Sequence, residues 1–179
     1  MKTATIFAII ALVAVAGAAA DVPSGLSLSV GLTQQADDFM AGAGVRSPIL
    51  LGAAFVEASG WVAWRGGVAG AGGEAWQAYF AGRIGLGGRT SILDGAVMLY
   101  GSGGVIAALP NSAFTDSPFE WGGYGTFGIE IMAGTRRGGL GYYYEAGANG
   151  IGAVAEKQAG MPLYLNGWTQ SVGLRYYFP

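Results

Sequence analysis

Six charged residues lie inside alternating runs of small and apolar residues: Arg46, Glu57, Arg83, Glu130, Glu145 and Arg175. Three arginines and three glutamates in such runs support two kinds of chemistry. They either select ions in a pore or pair into a neutral network that fills an interior, and an unpaired buried charge costs about 3 to 5 kcal/mol. Hydrolytic chemistry is poorly served. The serines Ser27, Ser29, Ser59, Ser102 and Ser171 recur at similar positions, but the chain has no histidine and no cysteine. Without a base a serine hydroxyl is a weak nucleophile, so no catalytic residue is expected and the chain is not read as an enzyme. No metal site is expected either, because the carboxylates are matched by arginines and histidine or cysteine ligands are ruled out. "GYGTFG" at 123–128 has the spelling of a dinucleotide loop, but that loop opens a helix after a strand. This copy sits within a strand-like run, and no cofactor is expected.

The elements that hold these residues must be strands. In "SGLSLSVGLT", Leu26, Leu28, Val30 and Leu32 alternate with Ser27, Ser29, Gly31 and Thr33, the period of a strand with one apolar face. Seven further runs repeat the pattern. In each, residues such as Val56, Ala58, Val62, Phe80, Ile84, Leu99, Phe127, Ile129, Val172 and Leu174 share the apolar face. The opposite face takes the six charges, the serines, many glycines, Trp61 and the tyrosines Tyr79, Tyr100, Tyr124, Tyr143 and Tyr177. Eight strands of about ten residues match a tilted transmembrane strand. The connectors near 47–53, 87–94 and 135–139 look like tight turns, and those at 65–73, 108–119 and 154–163 are longer or more polar. That alternation suits an up-and-down barrel with short turns on its periplasmic side.

Composition agrees. "MKTATIFAIIALVAVAGAAA" has a basic start, a short apolar run and small residues before Asp21, the pattern of a secretory signal peptide. Residues 1–20 are therefore expected to be removed, leaving 21–179 as one barrel domain. Only 11% of the residues are charged and 34 are glycine, whereas soluble domains carry about 25% charged residues. Without Lys2 the chain keeps eight Lys and Arg against eleven Asp and Glu. Nucleic acid is therefore not an expected partner.

A lipocalin-like barrel and a membrane barrel are inside-out versions of each other. All six charges lie on the polar face, so that face is expected to point into the bore and the apolar face into lipid. Trp64, Trp76, Trp121 and Trp168 fall on the apolar face near the outer strand ends, and Tyr142, Tyr144, Tyr176 and Phe178 fall near the inner ends. They are expected to form two interfacial girdles. Asp37, Asp38, Glu74, Asp116, Glu120 and Glu156 gather on the outer side with Arg65 and Lys157, and Arg89, Arg136 and Arg137 on the inner side. The outer set reads as a solvated acidic rim.

The last strand, "SVGLRYYFP", places Ser171, Gly173, Tyr176 and Phe178 at the spacing of a polar residue, a glycine and two terminal aromatics. This resembles the assembly signal of bacterial outer-membrane proteins, with Pro179 following where the family ends on the aromatic. Over 21–179 the pattern resembles the small eight-stranded barrels of the OmpA transmembrane domain and OmpX kind. The resemblance implies an all-β, transmembrane, eight-stranded antiparallel barrel in a bacterial outer membrane. It also implies delivery by the outer-membrane assembly machinery and contact with outer-membrane lipids and lipopolysaccharide. No peptidoglycan-binding domain follows, so an anchoring role is not implied. Lipid A acyltransferases and deacylases resemble this scaffold in size, but they need a histidine that the chain lacks.

The expected function is that of a monomeric barrel with a closed, side-chain-filled bore, acting in envelope structure or surface interaction through its outer loops. The competing expectation is a narrow channel for ions or small hydrophobic solutes. Arg175 is expected to meet Glu57, Glu130 or Glu145.

Overall fold

A computed structural model describes residues 23–70, 73–133 and 139–179. The proposed signal segment, Asp21, Arg136, Arg137 and the side chain of Glu74 lie outside the described residues. Eight antiparallel strands follow one another around a closed barrel. They are β1 (Ser27–Gln35), β2 (Asp38–Arg46), β3 (Ala54–Gly70), β4 (Gly73–Ile92), β5 (Val97–Leu109), β6 (Glu120–Ala133), β7 (Gly139–Val154) and β8 (Leu163–Tyr177). Closure runs from Ser27↔Tyr177 to Gln35↔Thr169, so the sheet has no free edge. Closure is the complete answer to the exposed-edge problem of an antiparallel sheet.

The alternation sets the two faces. Leu28, Val30, Phe80, Ile84, Val105, Phe127, Val172 and Leu174 point outward and are exposed, while Glu57, Tyr79, Tyr100, Glu130, Glu145, Arg175 and Tyr177 point inward and are buried. Among the described strand residues with placed side chains, no outward one is charged. Apolar positions out and charged positions in is the reverse of a water-soluble barrel.

The strands are less uniform than the spacing predicts. They run from 9 residues in β1 and β2 to 20 in β4. The expected connector at 65–73 is instead a hairpin that prolongs β3 and β4, and its register shifts by a bulge between Arg65 and Val68. The expected turn at 87–94 is largely strand, with only Leu93–Gly95 forming a tight 3-10 turn. Val154 and Leu163, expected in a loop, end β7 and begin β8. In each case hydrogen-bonded pairing continues past the apolar band, which the hydrophobic pattern does not register.

One end of the barrel carries the β2–β3 and β4–β5 turns together with Pro23 and Pro179, and is called the turn end below. The opposite, loop end carries the β5–β6 loop at 110–119 and the β7–β8 loop at 155–162. The interior has two tiers. An apolar cluster of Met40, Ala63, Tyr79, Phe114, Ala153, Tyr164 and Leu165 packs at the loop end, and the charged residues lie below it.

Candidate functional site: a charge chain beneath an aromatic plug

The barrel brings the six charges expected in its bore into one chain of alternating sign. Arg46 contacts Glu57 at 2.9 Å, Glu57 contacts Arg83 at 3.8 Å, and Arg83 contacts Glu145 at 2.9 Å. Glu145 then meets Arg175 at 3.5 Å, and Arg175 meets Glu130 at 2.6 Å. Arg175 thus takes two of the three partners expected for it. The chain draws on β2, β3, β4, β7, β8 and β6, so no single hairpin contains it.

Hydroxyls complete the carboxylate coordination. Ser102 and Tyr124 donate to Glu57 at 2.6 and 3.2 Å, Tyr100 donates to Glu145 at 2.9 Å, and Tyr177 donates to Glu130 at 3.0 Å. The arginines stack on rings: Arg46 lies 3.9 Å from the Phe55 centroid and 4.4 Å from that of Tyr100. Arg83 lies between Trp61 and Tyr124, and Arg175 between Tyr100 and Tyr143. A guanidinium over a desolvated ring gains cation–π energy on top of its ion pair. Buried ion pairs are tolerated only when the remaining hydrogen-bonding capacity is met, and here most of it is. The exceptions sit at the two ends of this charge chain, where Arg46 Nε and Nη1 and Glu130 Oε1 have no hydrogen-bond partner among the described residues.

Glycine makes this packing possible. A Cβ at Gly128 would meet the Tyr100 ring, and one at Gly173 would meet Tyr143 and the Val30 carbonyl. Each tyrosine therefore lies flat against bare backbone on a neighbouring strand, which is how bulky inward rings fit a narrow bore.

The second tier was not anticipated. Asp38 and Arg65 do not stand on a solvated rim: they are 1% and 2% exposed and paired at 2.9 Å inside the loop end. Arg65 also donates to Gln158 at 2.7 Å, and Asp38 accepts from the Tyr79 hydroxyl at 3.0 Å and the Leu165 amide at 3.2 Å. They lie inside because the prolonged strands carry the inward parity beyond the apolar outward band. Above them Phe114, fully buried, drops from the β5–β6 loop between Tyr79 and Tyr164, with centroids at 5.6 and 5.2 Å and near-perpendicular rings. Edge-to-face pairs of this kind add about 0.5 to 1.5 kcal/mol beyond their area.

The plug is latched from the β7–β8 loop. Glu156 accepts from the Thr115 hydroxyl at 2.9 Å and the Asp116 amide at 2.7 Å, and the Lys157 amide donates to the Phe114 carbonyl at 3.1 Å. Lys157 also pairs with Asp116. The Asp116 amide and Thr115 hydroxyl hold the Glu156 carboxyl below its ordinary value of 4.5. A carboxylate lowered on folding contributes above its ordinary value, and the contribution is lost as pH falls through the lowered one. Hydrogen exchange at the Asp116 amide is therefore expected to keep constant protection near neutrality and to lose it on acidification below about pH 4.5. Glu156→Gln should weaken that protection and remove the acid transition.

The cavities that adjoin the charge chain are small. A cavity of about 30 Å³ lies beside Ser29, Glu57, Ser59, Arg83, Tyr143 and Arg175. A second of about 10 Å³ lies beside Met40, Trp61, Ile106, Asn149 and Thr169. Together they hold a few waters at most. Among the described residues no group of three or more metal-ligating side chains converges.

The other predicted positions are placed as follows. Trp76, Trp121 and Trp168 are exposed on the outer face, while Trp64 is half-buried and stacks on Phe39 at 6.0 Å. Ser171 points inward and hydrogen-bonds Thr33 at 2.7 Å. Gly173 lies under Tyr143, and Tyr176 and Phe178 point outward in an edge-to-face pair at 5.1 Å. Arg89 belongs to β4, binds the Pro23 carbonyl and lies 5.4 Å from the Tyr177 ring.

No family model matches the sequence, and no curated protein does. Among solved structures the fold is similar to the N-terminal β-barrel domain of Pseudomonas aeruginosa OprF, with a TM-score of 0.53 and 8% identity. The match covers 88% of this chain and 100% of that domain. At that identity the likeness is one of fold: an eight-stranded, closed, up-and-down barrel.

Proposed function

We propose that this chain is an outer-membrane barrel with a sealed bore, delivered by a signal peptide and the outer-membrane assembly machinery and acting as a monomer. It serves envelope structure or surface interaction through its latched loops, in contact with outer-membrane lipid and lipopolysaccharide. The observation that carries this reading is the double seal, a stacked and paired charge chain below an aromatic plug. The uncharged outward face and the barrel likeness support the membrane placement. The assembly role of Ser171, Gly173, Tyr176 and Phe178 rests on their spacing. No catalysis and no bound cofactor are part of the reading.

Single-channel recording of the refolded protein in a planar bilayer tests it. The expected trace is flat. Steady conductance abolished by Glu130→Gln or Arg83→Met would establish the narrow-channel alternative instead. A mature chain that stays monomeric and soluble without detergent would overturn the membrane placement.

A further inference from the structure

Two of the described turns at the turn end do not look like periplasmic turns. Those that join β2 to β3 and β4 to β5 read "SPILLGA" and "LDGA". Leu51 is 100% exposed at φ 47°, and Leu93 is 71% exposed at φ 52°. Left-handed backbone crowds an L side chain, so Gly, Asn or Asp normally occupies it. Here two leucines accept that crowding while presenting their whole side chains.

The Arg89 amide donates to the Ala53 carbonyl at 3.1 Å, which pairs the end of the first turn with β4 four residues before Leu93. Leu50 and Ile92, 46% and 44% exposed, flank the tips. Leu50 bridges to Ala54 at the start of β3, and Ile92 ends the outward row of β4 that contains Ile84 and Leu86. Through Leu50 and Ile92 each described tip therefore continues the apolar outward band.

We propose that these turns form a foot embedded in the headgroup region of the adjoining phospholipid leaflet, with Leu50, Leu51, Ile92 and Leu93 directed into lipid. The inference rests on the membrane-spanning reading. Continuity with the lipid-facing band favours lipid over a protein partner. So does shape: four side chains on two convex tips fall well short of the roughly 1,000 Å² that a stable protein interface needs, whereas a fluid interface accommodates them. Asp94, exposed in the second turn, limits the depth to the headgroups.

The chain has no cysteine, so single nitroxide labels can be placed cleanly. Leu51→Cys and Leu93→Cys are labelled and reconstituted in dioleoylphosphatidylcholine vesicles, with Val30→Cys as a mid-band control and Asp116→Cys as an aqueous control. Collision with oxygen is compared with collision with a water-soluble nickel chelate. The expected oxygen-to-nickel ratio at both leucine positions is at least about threefold that at position 116. Ratios equal to that at 116, with position 30 reading as lipid, would overturn the foot alone. Low collision with both reagents at 51 and 93 would mean burial against protein and would also overturn it. A water-like reading at position 30 would bring down the membrane-spanning reading, and the foot with it.

Discussion

Glu145→Ala is expected to destabilise the barrel by about 3 to 5 kcal/mol, the cost of stranding buried charge. Glu145 is the carboxylate through which the two halves of the charge chain meet. It accepts from Arg83 at 2.9 Å and Tyr100 at 2.9 Å, and it lies 3.5 Å from Arg175. Its loss leaves Arg83 with the Ser59 hydroxyl at 3.2 Å and Glu57 at 3.8 Å, and leaves Arg175 with Glu130 as its one carboxylate partner. The cavities beside these guanidinium groups, about 30 and 10 Å³, have room for little solvent to replace the lost carboxylate.

Urea titration in detergent micelles, followed by far-ultraviolet circular dichroism, reads the loss. Glu145→Gln should cost less, because an amide oxygen still accepts one of the bonds. Arg46→Met should also cost less. Arg46 sits at the end of the chain with a single carboxylate partner and two unpaired nitrogens, and the Glu57 it leaves keeps Arg83, Ser102 and Tyr124. If Arg46→Met proves as damaging as Glu145→Ala, the charges act as separate pairs rather than as one chain with a centre.

The interior charges were legible in sequence because parity alone decides which face a strand residue takes. Glu57 shares the parity of Ser59 and Trp61, and Arg175 that of Ser171 and Gly173, so both had to point the same way as their small neighbours. The order of pairing was not legible. It depends on how strands far apart in sequence are staggered around the barrel, which brings Glu145 of β7 closer to Arg83 of β4 than Glu57 of the neighbouring β3.

Asp38 and Arg65 were missed for a different reason. The apolar run of β3 ends near Trp64, so Arg65 read as the first residue of a loop. Hydrogen bonding instead carries the strand to Gly70, and Arg65 continues the inward row of Glu57, Ser59, Trp61 and Ala63. Extending the parity by one position, with Asp38 on the row of Met40 and Gly42, would have found the pair. Phe114 offered a weaker signal, a lone aromatic in "NSAFTDS". Its burial requires Tyr79 and Tyr164 to meet above the barrel, a long-range event that local patterning does not encode. The exposed leucines at 51 and 93 show the same limit from the opposite side, since turn residues carry no parity at all.

Gly128→Leu should be about as damaging as the loss of Glu145. A Cβ there would lie 2.6 Å from both Cε2 and the hydroxyl oxygen of Tyr100. Tyr100 cannot move freely, because its hydroxyl serves Glu145 and its faces carry Arg46 and Arg175. Overpacking of about 1 to 3 kcal/mol then adds to the loss of a hydrogen bond to a charged group, about 1.5 to 3 kcal/mol. Gly125→Leu is the matched control: a Cβ at that outward position meets nothing within 4 Å, so its effect should stay within about 0.5 kcal/mol. Tyr100→Ala on its own should destabilise the barrel, yet added to Gly128→Leu it should restore part of the lost stability, because the leucine then occupies the space of the ring. Strictly additive losses in that double-mutant cycle would show that ring and glycine do not share one space. The charge chain would then have to owe its alignment to something other than the flat seat of Tyr100.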